Sequence, residues 1–209
     1  MRSGPTYLYH AIPLHYLPAL ARSGQLFSAA RLPGRIRPRP TAIARKRKLG
    51  LEDCVHLSLV PKTPLLKDKH TKGWPHALIR FPSALLDRPD VSLLKWNTKR
   101  WAHRGEFVPV SGIEKKRAFL EDWRGGAYPS AEALVSGSLD LSLADALLLP
   151  DTRFLGWLDG FQAALPPMSV APETFPPLAP CAYEDELESY FLLCAHLTPI
   201  PAPPDLPFD

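Results

Sequence analysis

Cysteine is scarce in this sequence of 209 residues: Cys54, Cys181 and Cys194 are all there are. An odd number without paired spacing speaks against a disulfide framework and leaves reduced, buried thiols as the plain reading. The seven histidines show no metal-ligand spacing with cysteine or carboxylate, so no metal is expected. There is no GxGxxG, no P-loop and no GxSxG elbow. A Rossmann dinucleotide site, a Walker-type phosphate cradle and an α/β-hydrolase nucleophile are thereby excluded. No apolar run approaches the roughly 20 residues that span a bilayer. The opening MRSGPTYLYHAIPL lacks both a sustained apolar stretch and a small-residue cleavage site, so the expectation is a cytoplasmic protein without a membrane.

Basic residues are missing from the last quarter. All 25 Lys and Arg lie at or before Arg153, whereas eight of the 21 acids follow it. Residues 1–153 therefore carry 25 basic against 13 acidic side chains, a net +12, and residues 154–209 carry −8. Such a split marks a body that suits a polyanion and an acidic tail, although acidic tails also serve solubility alone.

Proline is abundant, at 25 residues, so long regular elements should be few. Residues 6–10 read as a short strand, and 14–23 as a helix with Leu14, Leu17 and Ala21 on one face and Gly24 as C-cap. Residues 31–48 hold eight basic residues, no acids and three prolines, which is a loop. Residues 55–59 alternate as a strand, with Val55, Leu57 and Leu59 on one face and His56 and Ser58 on the other. Further strands are expected at 77–81, 106–110 and 131–135. Residues 114–124 read as an amphipathic helix with Ala118, Trp123 and either Phe119 or Leu120 turned inward. LSLADALLL (141–149) fits neither the helical nor the strand period. Proline-rich 166–180 reads as a linker or wrapped arm, and 184–197 as a last helix. Short strands with few helices imply an α+β fold around a mostly antiparallel sheet. The expected division is a domain over 1–150 and a proline-rich acidic extension over 151–209.

Three segments in order resemble the DarT family. YHAIPLHYLPALARSGQL (9–26) resembles its opening strand, turn, helix and glycine; RKRKLGLEDCVHLSLVPKTPLL (45–66) resembles its basic cluster, strand and proline-flanked turn. PSAEALVSGSLDLSLADALLL (129–149) resembles the strand that carries the family's catalytic glutamate. Tyr16 and Ser58 depart from the family pattern, and 150–209 match nothing in it.

The resemblance implies an ADP-ribosyltransferase-like core that transfers ADP-ribose from NAD to a base of DNA, single-stranded by preference. RNA, protein and a non-catalytic binding role remain as alternatives. It also implies a toxin countered by a macrodomain antitoxin. Glu132 would be the catalytic carboxylate, stabilising an oxocarbenium-like ribose and helping to deprotonate the acceptor. Arg47 would assist it or pair with the pyrophosphate, with Arg45 as the competing choice in that register. His10, Gly24, Leu26, Ser58 and Arg47 would contact the nucleotide, NAD being a substrate without any metal. Arg35, Arg37, Arg39, Arg45 and Tyr128 would contact the nucleic acid.

Overall fold

The computed structural model describes residues 4–32, 44, 46–96, 108–128, 130–197, 201 and 203. Its organising strand is β1 (Tyr7–Pro13), which runs three residues past the expected end and pairs antiparallel with β4 (His76–Pro82) along its whole length. Beyond β4 lie β8 (Ala146–Leu149) and β9 (Met168–Val170), the latter parallel. On the other side, β1 meets β3 (Cys54–Ser58) at Tyr9↔Ser58 alone. β3 then pairs with β6 (Glu132–Ser136), and β6 with β5 (Val91–Leu94). The sheet order is β5-β6-β3-β1-β4-β8-β9, and β2 (Gln25–Phe27) with β7 (Ser138–Asp140) makes a small second sheet. The architecture is mixed, with a mostly antiparallel sheet, as the proline-broken pattern suggested.

Alternation sets the two faces of the sheet. Leu8, Ile12, Val55, Leu57, Ile79, Phe81, Ala133, Val135, Leu147 and Leu149 line one continuous core. α1 (Leu17–Ser23) covers part of it, ending at Gly24 in the left-handed region (φ 63°), where a glycine is unstrained. The expected helix over 14–23 divides, because Pro18 fits only the first turn, and Leu14–Tyr16 form a 3₁₀ turn before it.

One helix was not anticipated, and other segments differ from expectation in detail. α2 (Pro64–Thr71) starts at a local signal, since Thr63 accepts from Leu66 N–H at 3.1 Å and Pro64 takes the first turn. α3 (Ile113–Arg124) buries Phe119, Leu120 and Lys116, while Ala118 is exposed. Lys116 goes inward because its ammonium donates to the carbonyls of Leu86, Arg88 and Val91, which satisfies all three of its hydrogens. Of the strand expected over 106–110, residues 106 and 107 lie outside the described residues; Val110 bridges Leu93. The ambiguous 141–149 is a 3₁₀ turn, Leu141–Leu143, followed by β8.

The proline-rich stretch is pinned down. It supplies β9 and then Phe175, which stacks on His70 of α2 at 5.6 Å. His70 Nδ1–H donates to Pro176 O at 3.0 Å, and Ala179 N–H donates to His70 O at 3.0 Å. α4 (Arg153–Trp157) precedes this stretch and α5 (Glu184–His196) follows it, with Phe154, Leu158, Phe161, Tyr190, Phe191 and Cys194 in the main core. Arg153 ties α5 down through Glu184 at 2.7 Å, and Arg22 of α1 donates to the Cys194 and Leu197 carbonyls at its other end. The three cysteines are unpaired: Cys194 is buried, and Cys54 and Cys181 are half-buried. Among the described residues no helix is long and apolar enough to cross a membrane, and no three His, Cys, Asp or Glu are grouped to hold a metal.

Candidate active site

Glu132 is the first residue of β6, delivered there by the loop that follows α3. Gly126 (φ 91°) and Tyr128 (φ 60°) turn the chain, and Ala131 N–H closes on Tyr128 O at 2.9 Å. A positive φ at a tyrosine is strained, and such strain is found where the surrounding packing enforces it. Here the ring is packed by Phe119 at 5.2 Å and Trp96 at 5.9 Å, with Lys95 Nζ 5.0 Å from its centre. Since Ala133 and Val135 face the core, period-two alternation turns Glu132 to the opposite face, opposite Ser58 of β3 and Leu94 of β5.

β3 obeys the same rule. Val55 and Leu57 go into the core, and Cys54, His56 and Ser58 share the face of Glu132. His56 pairs with Leu134, so Glu132 is its diagonal neighbour, a separation that long side chains bridge. The His56 Nδ1–Glu132 Oε2 distance is 2.8 Å, with side chains only 12% and 20% exposed. His56 Nε2 is buried with no hydrogen-bond partner among the described residues.

Where β1 and β3 part after Tyr9↔Ser58, a side chain replaces the backbone ladder. His10 Nδ1–H donates to His56 O at 2.9 Å. Burial pushes the His10 pKa down to about 4, so the ring is neutral at pH 7 and its Nε2 is an acceptor. A contact chain thus runs from His10 to the backbone of His56 and from the ring of His56 to Glu132.

The fourth member comes from the basic loop. Residues 46–48 are helical, and the amides of Leu49 and Leu51 both return to Lys46 O, at 3.1 and 2.9 Å. Leu51 packs with Leu94 and Leu134 on the Glu132 face, and Lys46 comes within electrostatic reach of the carboxylate. Burial pulls the Lys46 pKa below the usual lysine range, while nearby Glu132 and Cys54 oppose that shift. Arg47 turns outward instead, 71% exposed, and donates to Glu52 at 2.8 Å. The other end of the loop is tied to the same strand start: Arg31 Nε and Ser28 Oγ donate to Asp53 at 2.9 and 3.0 Å.

Of the residues singled out from the sequence, His10, His56 and Glu132 form one chain of contacts, His10 bonded to the His56 carbonyl and the His56 ring to Glu132. Ser58 lies beside Glu132, but its hydroxyl is engaged locally, donating to Val60 O at 2.7 Å and accepting from Val60 N at 3.2 Å. Gly24 caps α1 and its carbonyl accepts from Leu141 N–H at 2.9 Å. Leu26 is 5% exposed within the core and pairs with Leu139 in the β2–β7 ladder, so neither its side chain nor its backbone stands open to a ligand. Arg35, Arg37, Arg39 and Arg45 lie outside the described residues. Lys46 was missed, since nothing in RKRK distinguishes one cation from the next. The alternation of 55–59 had placed His56 on the right face but not against Glu132.

No family model matches the sequence. Among curated proteins, 83 residues (40% of the chain) are 34% identical to the nitrogenase iron-molybdenum cofactor biosynthesis protein NifN of Bradyrhizobium diazoefficiens, and they span 17% of that protein's length. Among solved structures, the Thermus sp. 2.9 DarT in complex with ADP-ribosylated ssDNA matches with a TM-score of 0.64 at 16% identity, covering 82% of this chain and 96% of that one. The same protein in complex with NAD+ gives 0.62 at 16% identity, covering 82% and 98%. Thermosipho africanus DarTG in complex with ADP-ribose gives 0.58 at 17% identity, covering 81% of this chain and 50% of that one. The molecule therefore shares the fold of these DarT structures. That fold is the DarT-family fold.

Proposed function

We propose that this protein transfers ADP-ribose from NAD+ to a base of single-stranded DNA. The observation that carries the reading is Glu132, held at a strand head by His56 with Lys46 and His10 beside it, in a fold shared with DarT. In the reaction the bond between ribose C1′ and nicotinamide breaks, and its electron pair leaves with nicotinamide. A base nitrogen forms the new bond to C1′ and gives up its proton. Glu132 accepts a hydrogen bond from a ribose hydroxyl, its negative charge stabilises the oxocarbenium-like sugar, and it helps to take up that proton. The neutral His10 offers its Nε2 to a hydroxyl donor. Lys46 supplies positive charge next to the carboxylate, and Arg47 reaches outward to the pyrophosphate.

Gly24 and Leu26 act through the placement of β2 beside the nucleotide, and Ser58 lies at the edge next to Glu132. The arginines at 35, 37, 39 and 45, with Tyr128, hold the DNA strand. A macrodomain antitoxin that removes the mark is the partner this reading implies. The test incubates the full chain with labelled NAD+ and, separately, single-stranded DNA, RNA and protein. Label should appear on DNA and fall by roughly 100- to 1,000-fold in Glu132→Gln, the usual loss on removing a transition-state electrostatic partner. Label on RNA or protein instead would reassign the acceptor, and undiminished transfer by Glu132→Gln would remove that residue from the chemistry.

A further inference from the structure

We infer that His56 is the positioning residue of the site: its Nδ1–H clamps the Glu132 carboxylate in one rotamer, and His10 in turn sets the height of His56. The inference rests on the proposed transfer reaction for its catalytic consequence, but its geometry stands alone. A carboxylate only accepts, so the hydrogen in the 2.8 Å contact is on Nδ1. Both side chains are largely withdrawn from water, and a charge-assisted bond is stronger there than at a surface.

Three further observations separate this contact from an ordinary surface pair. His56 Nε2 is buried and unpartnered among the described residues, so the ring makes its one described hydrogen bond to Glu132. The backbone of His56 is fixed by His10 Nδ1–H across the gap where the β1–β3 ladder ends, so the ring cannot drift with a loose strand. The contact is also diagonal across the β3–β6 ladder, a geometry set by register and lost with any slip. A free glutamate at a strand head samples several rotamers. Clamping one of them pre-sets the carboxylate for a ribose that arrives later, which is the form in which a supporting shell raises kcat. Around the pair, among the described residues, the titratable groups are His10 from β1, Lys46 from the end of the basic loop and Cys54 from the start of β3.

The clamp uses Nδ1, and this makes it separable by isosteres. An asparagine amide places its nitrogen near Nδ1, whereas a glutamine amide places its nitrogen near Nε2. His56→Asn should keep kcat within a few-fold of the parent, and His56→Gln should lose about 10- to 100-fold in kcat with the KM for NAD+ nearly unchanged. Equal activity of the two folded variants, whether both high or both low, would overturn the assignment. A second measurement is independent of turnover: ¹⁵N-detected histidine NMR on the full chain. His56 should carry its hydrogen on Nδ1, and Glu132→Ala should shift that resonance while leaving His76 unmoved. An Nε2–H tautomer, or a His56 signal indifferent to Glu132, would refute the clamp. If no acceptor takes label but the NMR result holds, the transfer reading has failed and the clamp has not.

Discussion

Two cations stand one residue apart at the end of the basic loop, and they face opposite ways. Lys46 is half-buried beside Glu132, with its pKa pulled down by burial; Arg47 is exposed and paired with Glu52. An exposed pair of that kind contributes about 0–1 kcal/mol, so Arg47 can be removed without harm to the fold. Lys46→Met should therefore reduce kcat by at least about 10-fold, and Arg47→Ala should act chiefly on KM for NAD+. Steady-state kinetics on the two variants decides it: an equal loss of kcat in both would mean that the facing of the two side chains does not matter. His10 needs no such separation, because its ring is neutral at pH 7 and its contact is with a carbonyl.

At the scale of elements, the least expected feature is the way α2 and the turn after it clasp the proline-rich arm. Gly73 has φ +70°, and a Cβ added there would stand 2.2 Å from Pro180 O. Backbone of the arm thus occupies the place of a side chain. Gly73→Ala should destabilise the protein by about 1–3 kcal/mol through the strained φ and the clash together. The loss should appear as a lower melting temperature with new proteolytic cleavage between residues 172 and 180. A variant that melts normally and resists protease there would show that the arm is not held at this point. Composition left two readings open here for a definite reason: a run of prolines is equally compatible with a free linker and with an extended arm whose few donors are not needed. Phe175 on His70 and Ala179 N–H on His70 O make it the arm.

For the whole molecule, the charge split between a +12 body and a −8 tail invites the picture of a tail lying over a basic groove. The packing supports a different arrangement. Tyr190, Phe191 and Cys194 sit in the core with Phe154 and Phe161, and Arg22 and Arg153 hold α5 at its two ends. Truncation after residue 165 would remove β9, Phe175 and the buried face of α5. Large buried aromatics are worth about 3–5 kcal/mol each against a total stability of about 5–15 kcal/mol. The fragment should be insoluble or unfolded by circular dichroism. A soluble, folded fragment with higher transfer activity at low salt would establish autoinhibition instead.

Local rules in the sequence determined the parts that have a period or a cap: the alternation of β3, the glycine that ends α1, and the glutamate at the start of a strand. They also determined the charge split, because that is arithmetic. Only the tertiary structure decided which cation meets Glu132, because RKRK is locally degenerate and the turn that closes on Lys46 O depends on Leu51 packing against Leu94 and Leu134. It alone decided that Lys116 goes inward where Ala118 was expected, since the three carbonyls that hold the ammonium come from residues 25 to 30 positions away. The His56–Glu132 contact spans 76 residues and exists only through the register of β3 on β6. Side-chain period fixes a face within one strand, but which residues oppose each other is set by pairing between distant segments.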